Sequence, residues 1–225
     1  MEVLLAHQAL AEPVRLELAQ ALLTRDLSPG EVAERWNLPT SLVAHHVNCL
    51  VDAGLIRRGR SEHDARKSYL SLRTDDPQVL VMVSVGTPLM AAPQRVAFVC
   101  THNSARSKLA AASWRQISSI PAIDAGTAPA TAPHPWAIAT AAERGLVLDL
   151  EMHDLDSTVR EDDLVIAVCD HVHEQLHTQP DRFHWSVPDP VAAPAARAAF
   201  VSACDTIQTR VHRLHSSIRS TRSPS

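Results

Sequence analysis

The segment from residue 95 to residue 108 constrains the fold more than any other part of this 225-residue chain. It reads RVAFVCTHNSARSK: an apolar run typical of a buried strand stops at Cys100, and a helical pattern begins six residues later with Arg106 and Ser107. A loop between the carboxyl end of a strand and the amino end of a helix aims backbone N–H groups at one point, where the helix dipole adds positive potential. The segment therefore predicts a cradle for an oxyanion.

The residues in this cradle suggest nucleophilic chemistry. Cys100 would lie at its base, where the positive field favours the thiolate, which is the nucleophilic form of cysteine. Arg106 offers a planar guanidinium that can hold two oxygens of a tetrahedral anion. The other loop residues predicted to bind the oxyanion are Thr101, His102, Asn103, Ser104, Ala105 and Ser107. The alternative for Cys100 is a buried structural cysteine at the end of a strand.

The segment VAFVCTHNSARSKLAAASW resembles the low-molecular-weight protein tyrosine phosphatase fold family, and within it most resembles the arsenate reductases. Two later segments agree: DLVIAVCD is similar to a core strand of that family, and WSVPDP is similar to its general-acid loop, with Asp189 as the acid. The resemblance covers residues 94–218. It implies a C-terminal α/β domain with a four-stranded parallel sheet, the low-molecular-weight phosphatase fold. The alternative for Asp189 is an ordinary Asp-Pro turn.

The residues after Asp189 bear on the choice of oxyanion. Tyrosine phosphatases of this fold usually place aromatic residues beside the Asp-Pro pair, whereas here Val-Ala-Ala follows Pro190. This difference favours a small anion, arsenate or a phosphate-like oxyanion, over phosphotyrosine. The resemblance then implies that the Cys100 thiolate attacks arsenic, that Asp189 protonates the departing oxygen, and that Arg106 and the loop N–H groups hold the charge.

Reduction of arsenate needs a second thiol. In thioredoxin-coupled relatives it comes from a cysteine pair; Cys169 matches the first position of that pair, but Leu176 occupies the second. Cys169 is therefore a candidate resolving thiol in an incomplete relay, and its alternative is packing at the end of a strand. A low-molecular-weight thiol or an outside redoxin would release the product. No bound cofactor is expected.

The remaining composition favours a metal-free protein of a reducing compartment. The cysteines are widely scattered and form no CxxC pair, which indicates neither a zinc site nor a disulfide framework. His171, His173 and His177 do not share one helix face, so we expect a solvated helix surface there rather than a metal site. No apolar run is long enough to span a membrane, and the N-terminus is unlike a secretory leader, so we expect a cytoplasmic protein without membrane contact.

The first 72 residues have the pattern of a DNA-binding module. Helices are predicted over residues 13–23, from a capping box at Ser28 and Glu31 to Trp36, and from a cap at Thr40 or Ser41 to Gly54. Two short alternating strands follow at residues 55–60 and 67–72. Helix, turn, helix and hairpin together predict a winged helix-turn-helix, an α+β domain.

Residues 9–72 resemble the ArsR/SmtB family of winged-helix regulators, although the cysteine pair of its arsenite sensors is missing. The resemblance makes the third helix the recognition helix, whose outward residues Ser41, Ala44, His45 and Asn48 could meet operator DNA. The alternative for His45 and His46 is that one points inward and the other only touches phosphate. The cations clustered in the wing form a patch that could contact the phosphates: Arg57, Arg58, Arg60, Arg66 and Lys67. The alternative for the wing is a hairpin whose arginines provide solubility.

These patterns divide the chain into a winged helix-turn-helix at residues 1–74, a linker at 75–93, a phosphatase-like domain at 94–219 and a flexible tail at 220–225. The apolar part of the linker should be buried in a dimer contact or against a domain, or form a third strand of the wing. We expect a homodimeric regulator fused to an arsenate reductase that serves arsenic resistance. The alternatives are a pure regulator that senses an oxyanion without turnover and a protein tyrosine phosphatase.

Overall fold

The computed structural model describes residues 3–176 and 182–219. It divides into two compact units, Met1–Pro88 and Leu89–Ser225, which are described separately below. The predictions for His177 and for the tail at 220–225 fall outside the described residues. Within the described residues, no helix is both long and apolar enough to cross a bilayer.

The N-terminal unit is mostly helical and carries one small antiparallel sheet. Its elements are α1 (Val3–Leu10), α2 (Pro13–Ala21), α3 (Pro29–Trp36), α4 (Thr40–Asp52), β1 (Ile56–Arg60), β2 (Ser68–Leu72) and α5 (Pro77–Ser84). Strands β1 and β2 pair in the register Ile56↔Leu72 to Arg60↔Ser68. Helices α3 and α4 form the helix-turn-helix and the two strands form the wing, as predicted.

Local chemistry explains the helix boundaries. The Ser28 side chain accepts from the Glu31 N–H and the Glu31 side chain accepts from the Ser28 N–H, which is the predicted capping box. Asn37 ends α3 in the left-handed region, with φ 49°. The predicted cap of α4 is wrong: Pro39 is the N-cap and no side chain bonds there, because Thr40 already belongs to the helix. Gly54, with φ 70°, ends α4 as predicted.

The predicted linker at 75–93 needs correction, because residues 75–88 belong to the N-terminal unit. Asp76 accepts from the Gln78 N–H and Pro77 occupies the first turn, so the apolar run that follows forms α5 instead of a third wing strand. Val79 and Val83 are fully buried in the core of this unit. The compact unit therefore extends to Pro88 and not to residue 74.

The C-terminal unit alternates strands with helices around a parallel sheet. Its elements are β3 (Val96–Cys100), α6 (Arg106–Ile117), β4 (Ala122–Gly126), α7 (Pro135–Glu143), α8 (Leu155–Thr158), β5 (Leu164–Ala167), α9 (Asp170–Gln175), β6 (Phe183–His184) and α10 (Ala196–Ser216). The strand order is β4-β3-β5-β6, and every pair is parallel. The predicted four-stranded parallel sheet is confirmed.

The core of this unit lies on both faces of β3. Phe98 contacts Trp114 of α6 and Trp185 after β6, with ring centroids 6.2 and 5.7 Å apart. The last helix and the turn after it contribute a buried apolar stripe: Phe200, Cys204, Ile207, Val211, Leu214 and Ile218. Because all strands run in the same direction, the carboxyl ends of β3, β4 and β5 meet at one edge of the sheet, and Cys100 lies at this edge.

Candidate functional site

Residues 101–105, called the anion loop below, connect the end of β3 to the start of α6. Their neighbours hold the loop by its carbonyl groups: the oxygens of Cys100, Thr101, His102 and Ser104 accept from the N–H groups of residues 127, 128, 130 and 134 over 2.8–3.2 Å. Among the described residues, no acceptor binds the N–H groups of residues 101–105. The anion loop thus presents the donors that an oxyanion requires.

Gly126 allows the loop to approach the sheet. A Cβ atom at this position would lie 2.7 Å from the Thr101 carbonyl oxygen and 2.8 Å from the Asn103 nitrogen, both of them backbone atoms. Any side chain would therefore displace the loop. Sequence reasoning missed this residue, because the sequence shows only a glycine here and not its pairing with Cys100 on the neighbouring strand.

Polar groups surround the Cys100 thiol although the residue is only 3 % exposed. Its Sγ lies 3.1 Å from Ser107 Oγ, and Ser107 Oγ accepts from Asn103 Nδ2 over 3.1 Å. Asn103 adopts the left-handed conformation with φ 51°, and its Oδ1 accepts from the His153 N–H over 2.8 Å. Asn103 and Ser107 therefore use their side chains to build the site, and only their backbones remain to bind an anion.

The structure brings Arg106 and Asp189 together. Arg106 Nη1 donates to the Val187 carbonyl over 2.9 Å, and its Nη2 lies 3.4 Å from Asp189 Oδ2. Asp189 Oδ1 also accepts from the Val191 N–H over 3.1 Å, which is the local bond of an Asp-Pro turn. Arg106 is buried, whereas the Asp189 side chain is one-third exposed. The candidate acid thus lies next to the candidate anion-binding residue.

Cys169 lies beside Cys100 on the neighbouring strand ends. The Val168 N–H donates to the Val99 carbonyl over 2.8 Å, and the Cys169 Sγ lies 3.8 Å from Thr101 Oγ1. Burial raises the pKa of the Cys169 thiol to about 11, against the opposing effect of the Arg106 charge. At neutral pH the Cys169 sulfur is therefore a thiol and not a thiolate.

These features agree with a comparison of the sequence with family models. Residues 95–223, more than half of the chain, match the model described as low molecular weight phosphotyrosine protein phosphatase. The chain belongs to this family. A solved tyrosine phosphatase from Erwinia amylovora has the same fold. The two sequences are 17 % identical, the match covers 59 % of the present chain and 99 % of the Erwinia chain, and the TM-score is 0.50. An arsenate reductase from Archaeoglobus fulgidus is 27 % identical; the match covers 52 % of the present chain and 98 % of the reductase, with a TM-score of 0.43.

The regulator part of this phosphatase-family chain has its own relatives. Residues 15–67 match the model of the MarR family. A probable mercury resistance operon repressor from Streptomyces lividans is 32 % identical over 94 residues, which are 42 % of this chain and 71 % of that protein. The N-terminal unit is thus a regulator-type helix-turn-helix. The family model that matches it is MarR, whereas the sequence patterns had suggested ArsR/SmtB.

Helix α4, which the sequence predicts to be the recognition helix, presents the predicted side chains to solvent. Ser41, Ala44, His45 and Asn48 are all exposed on α4. His46 points inward, and its Nδ1 lies 3.5 Å from Glu12 Oε2. The structure thus agrees with the alternative in which one histidine of the pair faces the core. Cys49 of the same helix is half-buried, with its Sγ 3.8 Å from His45 Nε2.

The wing carries exposed cations: Arg57, Arg58, Arg60, Arg66 and Lys67. Two of these arginines form defined side-chain hydrogen bonds. Arg57 Nε donates to Ser71 Oγ over 3.1 Å, and Arg66 donates to both carboxylate oxygens of Asp64 over 2.9 Å. The hydrogen bonds from Arg66 lower the pKa of Asp64 to about 2. Arg66 would have to leave or share this carboxylate to contact a DNA phosphate.

The histidines of α9 are less exposed than expected. The His173 ring stacks on His184 with centroids 4.1 Å apart and planes 9° apart, and His184 Nε2 lies 2.9 Å from Asp170 Oδ1. His173 and His184 are both buried, and His171 is half-buried. The prediction of a solvated surface is therefore wrong for His173, because β6 pairs with β5 and brings His184 over α9.

Proposed function

We propose that the chain is a DNA-binding transcription regulator fused to a thiol-dependent arsenate reductase. One observation carries the enzymatic half: the nearly buried Cys100 thiol lies beside the Ser107 hydroxyl, at the base of a loop whose N–H groups have no protein acceptor among the described residues. Arg106 and Asp189 adjoin each other at the same site. These are a nucleophile, an anion cradle and a proton donor.

The residues after the acid support a small anion as substrate. Val191, Ala192 and Ala193 follow Pro190 and offer no aromatic ring to grip a phenyl group. The Cys100 thiolate would attack the arsenic of arsenate and form an S–As bond. Protonated Asp189 would give its proton to the departing oxygen, which leaves as water, while Arg106 and the loop N–H groups hold the remaining charge.

Electron transfer then requires a thiol from outside the chain. Attack of that thiol on the Cys100 sulfur breaks the S–As bond, arsenic keeps the electron pair and leaves as arsenite, and the two sulfurs become a mixed disulfide. A low-molecular-weight thiol supplies the attacking sulfur, and a redoxin or second thiol regenerates Cys100. Cys169 is a poor attacking group because burial raises its pKa to about 11, and Leu176 stands where a further cysteine would be required.

The regulatory half rests on the helix-turn-helix and on the likeness to a mercury resistance repressor. Exposed residues of α4 and the cations of the wing would contact operator DNA in the cytoplasm. A regulator that carries an arsenate-converting domain would serve arsenic resistance. Within the helix-turn-helix regulators, we assign the N-terminal unit to the ArsR type. Binding of an oxyanion can change DNA affinity only if the two conformations bind it differently.

We further propose that the N-terminal unit forms a homodimer through α1 and α5. Large apolar side chains are exposed on both: Leu4 of α1 is 62 % exposed, Val81 of α5 is 66 % exposed, and Val85 just beyond α5 is 71 % exposed. Winged-helix dimers read two half-sites of a palindromic operator. Leu4→Glu should convert the dimer to a monomer in light-scattering measurements; a wild-type monomer at micromolar concentration would contradict the proposal.

The decisive experiment supplies purified protein with arsenate and measures arsenite. Parallel reactions contain no thiol, a low-molecular-weight thiol alone, that thiol with its redoxin, or a thioredoxin system. We expect arsenite only where a small thiol is present. Arsenate that releases the protein from DNA without arsenite formation would favour the pure regulator, and rapid hydrolysis of a phosphotyrosine peptide without arsenite formation would favour a tyrosine phosphatase.

A further inference from the structure

The C-terminal unit contains a buried ion pair that the proposed chemistry does not use. Lys108 of α6 is fully buried, and its Nζ donates to Asp124 Oδ1 over 2.8 Å and to the Glu151 carbonyl over 2.5 Å. Asp124 of β4 is buried as well. Because a buried ion pair adds little stability compared with apolar side chains of the same volume, packing alone is a weak reason for a pair in this position.

Hydrogen bonds connect this ion pair to the nucleophile. Asp124 Oδ1 accepts from Asn103 Nδ2 over 2.8 Å, and the same amide nitrogen donates to Ser107 Oγ over 3.1 Å. Ser107 Oγ lies 3.1 Å from Cys100 Sγ. A continuous path thus runs from the Lys108 ammonium to the Cys100 sulfur entirely within the buried interior.

The path has a direction, because the Asn103 amide is held at both ends. Its Oδ1 accepts from the His153 N–H, and its Nδ2 faces the Asp124 carboxylate, which can only accept while it is ionised. The amide must therefore donate to Ser107. Ser107 has a single proton of its own, which is then available to the Cys100 sulfur, where it stabilises the thiolate.

We propose that Lys108 and Asp124 are positioning residues for the Cys100 nucleophile. The Lys108 ammonium balances the charge of the Asp124 carboxylate, Asp124 fixes the Asn103 amide, and Asn103 turns the Ser107 hydroxyl toward the sulfur. The inference rests on the proposed function only in taking Cys100 as the nucleophile; it does not require arsenate to be the substrate.

Removal of the lysine charge should act in two ways. The Asp124 side chain either remains a negative charge in the interior, where it disfavours a thiolate nearby, or becomes neutral and accepts from Asn103 more weakly. Both outcomes make the Cys100 thiolate harder to form. Other titratable or charged groups face the same region, and their effects must stay constant in any comparison: His102, Arg106, Arg115, Asp149, His153, Cys169, Asp170 and Asp189.

The pH dependence of Cys100 alkylation tests the proposal. Iodoacetamide is applied to the full chain across a pH series, and the modified peptide that contains Cys100 is quantified by mass spectrometry, which separates it from the half-buried Cys49. For Lys108→Met we expect the half-maximal pH of alkylation to rise by about one unit, so that the rate below the midpoint falls roughly tenfold. Lys108→Met combined with Asp124→Asn should recover part of the shift, because the uncompensated negative charge is gone and the amide oxygen still accepts from Asn103, although more weakly than a carboxylate.

Arg95→Met is the matched control. Arg95 forms a comparable ion pair with Asp163, with two 2.7 Å bonds, at the opposite end of β3 from Cys100. This variant should lower the melting temperature and leave the alkylation profile unchanged. An unshifted profile in Lys108→Met, or an equal shift in Arg95→Met, overturns the proposal.

A second variant keeps the test decisive if Lys108→Met does not fold. Asn103→Gly removes the amide link, leaves the Lys108–Asp124 pair intact and suits the left-handed backbone, with φ 51°. It should raise the half-maximal pH in the same direction, and an unchanged profile overturns the proposal. Arsenite formation is measured in a separate assay. If the wild-type protein does not reduce arsenate, the proposed function is contradicted, but the alkylation profiles still decide whether Lys108 and Asp124 act on Cys100.

Discussion

The anion loop and the wing hold their functional groups in different ways. Around Cys100 the polar side chains are buried and bonded to one another, as in the path from Lys108 through Asn103 to Ser107. On the wing the cations are exposed, and Arg58 and Arg60 project from a two-stranded sheet into solvent. A buried network fixes geometry for chemistry, whereas exposed cations provide attraction that salt can screen.

This difference predicts separable effects of substitution. A change at the anion loop should alter reactivity and leave DNA binding intact, because the two sets of residues belong to different compact units. A change on the wing should alter DNA binding and its salt dependence, with turnover unaffected. The predictions below test this separation, from the largest expected effect to the smallest.

Cys100→Ser should have the largest effect. The serine hydroxyl is a far weaker nucleophile at neutral pH, so turnover of arsenate or of a phosphate ester should fall by at least about a thousandfold. Binding to DNA, measured by fluorescence anisotropy, should stay within twofold of wild type. Turnover equal to that of the wild type would refute the assignment of the nucleophile.

Asp189→Asn should have the next largest effect on turnover. The amide cannot protonate the departing oxygen, so kcat should fall by about 10²–10⁴-fold. Since Asp189 Oδ2 lies 3.4 Å from Arg106 Nη2, loss of its charge also leaves the guanidinium freer to bind an anion. Phosphate should therefore bind the variant at least as tightly as the wild type. A variant with unchanged kcat would mean that Asp189 is only a turn residue.

Sequence patterns predicted the features that depend on local chemistry. The end of the strand at Cys100, the capping box at Ser28 and the left-handed Gly54 follow from short runs of residues, and all are present. The apolar run of α5 was ambiguous, because a short run without clear periodicity suits a strand as well as a helix. Only packing against the N-terminal core decides between them.

The features that sequence reasoning missed depend on pairing between distant segments. Lys108 reads as a surface lysine at the start of a helix, and only the parallel pairing of β3 with β4 brings Asp124 to its ammonium group. Gly126 is tight against the anion loop for the same reason. His173 was placed on a solvated face, because nothing local predicts that His184 stacks on it.

Arg58→Ala and Arg60→Ala should have smaller effects, confined to DNA. Each lost phosphate contact should reduce the slope of log affinity against log salt by about one. Arg197→Ala in α10 removes the same charge from the other unit and serves as the control, with an unchanged slope expected. Turnover should be the same in all three variants. A slope unaffected by the wing substitutions would mean that the wing does not contact DNA.

Cys169→Ser should have the smallest effect on turnover. The thiol is fully buried and protonated at neutral pH, because burial raises its pKa to about 11. If outside thiols resolve the Cys100 adduct, the variant should turn over like the wild type when a small thiol and its redoxin are supplied. Only a packing loss of about 1 kcal/mol in the free energy of unfolding should appear.

The identity of the disulfide decides this last prediction. A relay through Cys169 would join the two sulfurs, since both lie at adjacent strand ends beside Thr101, and Cys169→Ser would then stop turnover with a redoxin as sole reductant. Release from outside instead leaves the small thiol attached to Cys100. Mass spectrometry of wild-type protein quenched during turnover separates the two: a dominant Cys100–Cys169 disulfide contradicts the proposed outside reductant, and a Cys100 adduct of the small thiol supports it.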